Sequence, residues 1–297
     1  MTPPTNVDRL VVYTVLMGQE AELNPVPAST TTDYVCFTDQ KISQPNGWTV
    51  SLVEPIIPGD SAVSSRHPKV TPHLYLKDYS RSIYIDSSVR LLQDPENLWN
   101  RLMPKPEMLF GAIHHSFNFT IEEEIRAISA LGYESDAVML KHLELSEQES
   151  PGYLNTRTIW GGILTRRHNN KDLIDPMDSW FSKILKSSKR DQLSLPLALR
   201  KLRGDQVHIT HMDNQVSDYH IWPSGGYQKP HSSVHVDAPK HELSSYEKPA
   251  SDALITQRDA LRNERDSLLI ERRALLDSTS WRLTAPLRFL SRLWSKK

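Results

Sequence analysis

The hydrophobic positions of this chain fall in short blocks, and each block closes on polar or charged residues. Leu10–Leu16 is nearly all apolar and β-branched, as expected for a strand buried on both faces of a parallel sheet, and Met17, Gly18, Gln19 and Glu20 open a loop behind it. Tyr34–Phe37 is a second run and stops at Thr38 and Asp39. Trp48–Val53 alternates with a period of two and ends at Glu54 and Pro55, a third strand toward an edge. Ile83–Ile85 is a fourth and halts at one carboxylate, Asp86. Met108–Ile113 leads to His114 and His115, and Trp160–Leu164 leads to Arg166, Arg167, His168 and Asn169. The paired Gly161 and Gly162 suggest close approach of the backbone to a ligand or to another strand.

Helical patterns fill the intervals. Residues 62–80 carry Arg66, Lys69 and His73, with Pro68 and Pro72 limiting them to short or kinked turns. Asp94 and Pro95 form a cap and first turn for a helix running to Leu102. Thr120 caps a helix with Glu122, Glu123 and Glu124 in its first turn and Ile121, Ile125 and Ile128 on its apolar face. Asp175 and Pro176 predict a helix start running to Lys186, and Arg190–Ser194 opens a last helical stretch. Strands alternating with helices predict an α/β domain over residues 1–235.

Beyond it the pattern changes. Residues 236–252 are polar, with Pro239 and Pro249, and read as a linker. Over 253–278 a seven-residue repeat aligns Leu254, Leu261, Leu268 and Leu275, with Arg258, Arg265 and Arg272 at the companion positions. That is either a coiled coil joining two copies or a single charged helix. Residues 279–297 mix Trp281, Leu287, Phe289, Leu293 and Trp294 with arginine and lysine and hold no acid, the composition of a helix lying on an anionic membrane or docking on protein.

Composition narrows the classes. With 297 residues, 38% hydrophobic and 24% charged, the chain has the make-up of a soluble globular protein. The 35 basic and 36 acidic residues nearly cancel, leaving no footprint for nucleic acid. Cys36 is the single cysteine, which excludes an intramolecular disulfide or a cysteine zinc cluster. The N-terminus has no secretory pattern, and no window reaches the length of a membrane span; the reading is a cytosolic protein.

No phosphate-binding glycine loop, dinucleotide fingerprint or serine-hydrolase elbow occurs. Polar residues at strand ends remain: Asp39, Asp86, His114, the pair Glu122 and Glu123, Arg166 and Asp191. Asp86 stands where open α/β sheets bind ligands, although an acid there could also begin a turn. Arg66 and Lys69 suit phosphate oxygens, by forked and point-charge contacts.

These motifs resemble bacterial glycosyltransferase-domain proteins related to plant mucilage and cell-wall glycosyltransferases, a family with an expected GT-A-like fold. The resemblance covers residues 9–235 and rests on Val12–Gly18, Cys36–Asp39, Pro72 and His73, and Tyr84–Val89. It continues through His114 with Glu122 and Glu123, Gly161 and Gly162 with Arg166–Asn169, and Arg190–Ser194. It implies a nucleotide-sugar donor held by Asp39, Arg66, Lys69, Asp86, Gly161, Gly162 and Gln192. Asp191, Glu122 and Glu123 are the implied catalytic residues, and His114 and Arg166 face the acceptor or a phosphate. Residues 278–288 resemble the closing segment of surface-polysaccharide glycosyltransferases, which implies a cytoplasmic enzyme at the inner membrane face acting on a cell-surface glycan or lipid-linked acceptor.

Many relatives place Asp-x-Asp at the central strand, whereas Ser88 holds the third position here. Mn2+ or Mg2+ would therefore meet one carboxylate, Asp86, with His220 or His231 as a further ligand. A non-catalytic glycan-binding or scaffolding module of the same fold is the second reading. A phosphatase or nucleotidyltransferase is the third.

Overall fold

The structure is a computed structural model describing residues 9–18 and 22–222. The linker, the heptad helix with its pairing of two copies, the membrane-facing tail and His231 lie outside the described residues.

The apolar runs form the strands expected of them. These are β1 (Leu10–Leu16), β2 (Thr32–Thr38), β3 (Thr49–Leu52) and β4 (Arg81–Ile85). After the two-residue β5 (Arg90–Leu91) come β6 (Phe110–His114) and β7 (Ile159–Arg166). Two strands not expected from the sequence follow, β8 (Val207–Thr210) and β9 (His220–Ile221). Seven of these build one sheet in the order β3-β2-β1-β4-β7-β6-β8, while β5 and β9 pair apart as a small ribbon. All neighbours in the large sheet are parallel except β7, which runs against both β4 and β6. The carboxyl ends of β1, β2, β4, β6 and β8 and the amino end of β7 therefore share one edge. Strand order reverses between β1 and β4, the place where such sheets open a crevice.

Every residue of β1 is buried, and its alternation divides the core. Val11, Tyr13 and Val15 pack with Leu173, Met177 and Trp180 on one face. Leu10, Val12 and Leu16 pack with Leu98, Trp99 and Leu102 on the other. The helices are α1 (Ser61–Val70), α2 (Pro72–Tyr75), α3 (Pro95–Leu102), α4 (Ile121–Ala130), α5 (Asp136–Glu149), α6 (Lys171–Lys186) and α7 (Asp191–Leu199).

Asp94 and Thr120 cap α3 and α4 through their side chains, and Pro72 opens a separate short helix after α1, all as the sequence pattern indicated. The start of α6 differs from the expectation at Asp175. Asn170 caps the helix by accepting from the Asp172 N–H, so Pro176 lies inside the second turn, where it forfeits one backbone donor. The sequence pattern does not predict helix α5, because its apolar residues fall on no single face. Among the described residues no helix is long and apolar enough to cross a membrane.

Candidate active site

Two helix termini and one strand end meet at the shared edge. Asp60 caps α1 by accepting from the Val63 N–H, and along that helix Arg66 and Lys69 stand three apart on one face. The Lys69 ammonium lies 2.6 Å from Asp191 Oδ2 and 3.4 Å from Asp86 Oδ1, and Arg66 Nε lies 3.5 Å from Asp191 Oδ1. Asp191 is the first residue of α7, where a carboxylate also meets the positive end of the helix dipole. The Trp180 indole N–H fixes its backbone by donating to the Asp191 carbonyl at 2.8 Å.

Burial alone would raise the Asp191 carboxyl's pKa. The charges of Lys69 and Arg66, the Lys69 hydrogen bond and the Arg190 charge outweigh it and hold the group ionised below the usual carboxylate range. Tyr84 donates its hydroxyl to Asp86 Oδ1 at 2.7 Å and lies under the Lys69 ammonium at 4.7 Å. Its phenol is pushed well above its ordinary value, by burial first and then by the Asp86 charge.

Gly161 completes the wall. The register of β6 on β7 shifts between Ala112 and Ile113, whose partners are Leu164 and Trp160, so β7 bulges through Gly161, Gly162 and Ile163. The bulge turns the Gly161 N–H to Gln192 Oε1 at 2.9 Å and the Gly162 carbonyl to the Asp86 N–H at 2.9 Å. A Cβ at Gly161 would stand 3.2 Å from Gln192 Cγ and 3.4 Å from Lys69 Nζ, so this glycine keeps the backbone close to the charged group. A Cβ on Gly162 would run into the Trp160 ring instead.

Lys69, Asp86, Asp191, Arg66, Gly161 and Gln192 thus come together. Asp39 lies farther along the same edge, accepting from the Gly18 N–H at 3.1 Å at the carboxyl end of β2. His114 also reaches this edge, and its imidazole pKa is lowered by burial and then by the charge of Arg157.

Glu122, Glu123, Arg166 and His220 meet other partners. Glu122 pairs with Arg126 on the surface, and Glu123 accepts from the Phe119 N–H, closing the turn before α4. The acid turned inward is Glu124, 4% exposed, which accepts from Asn118 Nδ2 at 2.6 Å and from Gln192 Nε2 at 3.2 Å, with Arg190 4.0 Å away. The signal was present in the sequence: Glu124 falls on the stripe of Ile121, Ile125 and Ile128.

Arg166 sits at the far end of β7, away from the ligand edge and fully buried. Its guanidinium donates to the Lys69 carbonyl at 2.7 Å and bonds the Tyr13 hydroxyl, so it holds the last turn of α1 rather than an acceptor or phosphate. His220 is not free to bind a metal, since Nε2 lies 3.0 Å from the Asn214 carbonyl, Nδ1 lies 2.8 Å from Ser217 Oγ, and the ring stacks on Trp160.

Among the described residues no group of three or more His, Cys, Asp or Glu could hold a metal ion, and Ser88 accepts from the Trp222 indole. Around Asp86 the described residues suit a cation arriving on a ligand's phosphates better than a resident one: both neighbours of the carboxylate engage Oδ1, its side chain is 36% exposed, and Oδ2 has no partner among the described residues. The two cations and two carboxylates around Lys69 also cancel formally, so an incoming diphosphate brings charge they do not already balance.

Residues 28–221 match the family model described as TOD1/MUCI70, glycosyltransferase-like domain. No curated protein matches the chain. Among solved structures the chain is similar to the galactosyltransferase LgtC in complex with donor and acceptor sugar analogues, at 10% identity over 67% of this chain and 72% of that one, TM-score 0.37. It is similar to the apo WbbM bifunctional glycosyltransferase at 13% identity over 70% and 40% of the two chains, TM-score 0.41. It is similar to mouse xyloside xylosyltransferase 1 at 9% identity over 68% and 84%, TM-score 0.38.

Proposed function

From the premise that the chain belongs to the TOD1/MUCI70 glycosyltransferase-like domain family, we propose that it transfers a sugar from a nucleotide-sugar donor to a glycan or lipid-linked acceptor. The observation that carries this reading is the buried Lys69–Asp191 pair facing the Gly161 backbone, with Asp86 beside it. In this reading the donor's sugar lies beside Gly161, against the Gln192, Lys69 and Asp191 side chains that crowd this glycine. Asp191 and Gln192 accept and donate hydrogen bonds to its hydroxyls, which orients the anomeric carbon. Lys69 and Arg66 face the diphosphate and stabilise negative charge as the glycosidic bond to phosphate breaks. Asp39 bonds the nucleoside. Asp86 Oδ2 would hold Mg2+ or Mn2+, which when bound supplies further neutralisation of that charge.

The test is release of nucleoside diphosphate from a panel of nucleotide sugars by the full chain, with binding of the free diphosphates measured alongside. The expected result is turnover of at least one donor, reduced about 100-fold in Asp191→Asn. Failure to bind any nucleoside diphosphate overturns the proposal. A fully functional Asp86→Asn, Asp191→Asn double variant would favour the non-catalytic glycan-binding module.

A further inference from the structure

The shared edge continues past the donor residues. β6 ends at His114, β8 ends at Thr210 with His211 next, and Arg157 lies two residues before β7 begins. The register sets His114 opposite Ile159 and Ile113 beside Thr210, so the three side chains leave neighbouring strands together. The His114 and His211 rings stand 5.0 Å apart, and Arg157 Nη2 lies 3.4 Å from His211 Nδ1. The Arg157 guanidinium also lies 5.7 Å from the ring of Phe119, which is 50% exposed.

Among the described residues no carboxylate forms an ion pair with these basic groups. Arg9, Arg81, Arg126 and Arg203 each pair with a carboxylate, whereas among the described residues no carboxylate pairs with Arg157. Asp213, the nearest acid along the chain from His211, turns Oδ1 to the Gln215 and Val216 N–H groups. Arg157 carries the fixed positive charge of the group and lies within hydrogen-bond reach of His211 Nδ1, so an anion joining them gains a charge-assisted hydrogen bond from the guanidinium and further ones from the imidazole N–H groups. The exposed Phe119 ring offers an apolar face to the C–H side of a sugar.

We propose that Arg157, His211 and His114, with Phe119 beside them, form an acceptor subsite for an acidic saccharide, its anion being a uronate carboxylate or the phosphate of a lipid-linked diphosphate. The assignment rests on the glycosyl-transfer reading, which puts the donor on the neighbouring strands β4 and β7. An acceptor anchored here by its anion extends toward Gly161 along the edge. It is anchored without contact to the donor's own phosphates.

Titration of the full chain, with nucleoside diphosphate saturating, tests the subsite. The probes are a uronate-containing trisaccharide, its carboxyl-reduced neutral counterpart and inorganic pyrophosphate. The acidic trisaccharide or pyrophosphate is expected to bind at least about tenfold tighter than the neutral sugar, and the advantage is lost in Arg157→Gln with His211→Gln. Arg157→Lys, which keeps the charge, retains part of it and controls for folding. A preference for the trisaccharide points to carboxylate, and one for pyrophosphate to phosphate. Equal binding of acidic and neutral sugars, or an unchanged preference in the double variant, overturns the subsite. Nucleoside diphosphate binding on its own reports separately on the donor reading.

Discussion

The Lys69 ammonium and the Asp191 carboxylate, drawn from helices 122 residues apart, stand 2.6 Å apart with side chains 3% and 7% exposed. Such a pair costs desolvation on both sides, so it adds little net stability, yet losing one member strands the other. Lys69→Met is expected to destabilise the fold by about 3 kcal/mol. Lys69→Met combined with Asp191→Leu should lose less than the two single variants together, as urea unfolding would measure. Strictly additive losses would contradict a coupled pair.

Buried histidines set the acid limit. Burial pushes His142 and His168 each down to about 4, with the charge of Lys183 adding to the fall at His142. Unfolded, each takes a proton near its ordinary value of 6.5, so the stability they confer is complete above that pH and is lost as the pH falls toward 4. Between pH 7 and pH 5 the loss is about 2 kcal/mol per histidine. Asp191 acts over a lower range, because its depressed carboxyl loses its contribution only as pH falls below the ordinary carboxylate value. Unfolding midpoints measured at the two pH values, and a shallower slope in His142→Gln, would check this.

Gly161→Ala separates site from scaffold. The added methyl stands 3.2 Å from Gln192 Cγ, which must give by a few tenths of an ångström, and in ordinary contact with Lys69 Nζ at 3.4 Å. Folding should therefore survive with a loss of about 1 kcal/mol, while kcat/KM falls about tenfold or more. Gly111→Ala would press on the Leu102 carbonyl and Thr165, and is expected to fail in folding first.

The three neighbouring glutamates should give three different results. Glu124→Gln removes the charge that faces Arg190 and unsettles the Gln192 amide, so activity should drop about tenfold or more. Glu122→Gln should be silent. Glu123→Gln should cost only about 0.5 kcal/mol of stability through the weakened turn before α4. Equal activity in all three variants would remove Glu124 from the site.

Much of this arrangement was legible in the sequence, because buried strands and capped helices leave local marks. Asp86 and Asp39 were identified by where apolar runs stop, and Asp94 and Thr120 by their caps. What escaped depends on contacts distant in sequence. The antiparallel direction of β7 leaves no local trace. Arg166, following an apolar run, reads as a strand-end residue facing a ligand, although its carbonyl partners at Lys69 and Val70 draw it into the core. Glu124 was obscured by two acidic neighbours until the buried stripe of α4 separated it from them.

The reversed course of β7 also matters on an evolutionary scale. Because His114 and Ile159 are paired, the chain from residue 115 to 158, with α4 and α5, departs from and rejoins the sheet at adjacent points on one edge. Closing such an excursion costs only logarithmically more as it lengthens. It can therefore lengthen or shorten while β1 to β4 keep their register, provided that Glu124 stays in place to hold the Gln192 amide.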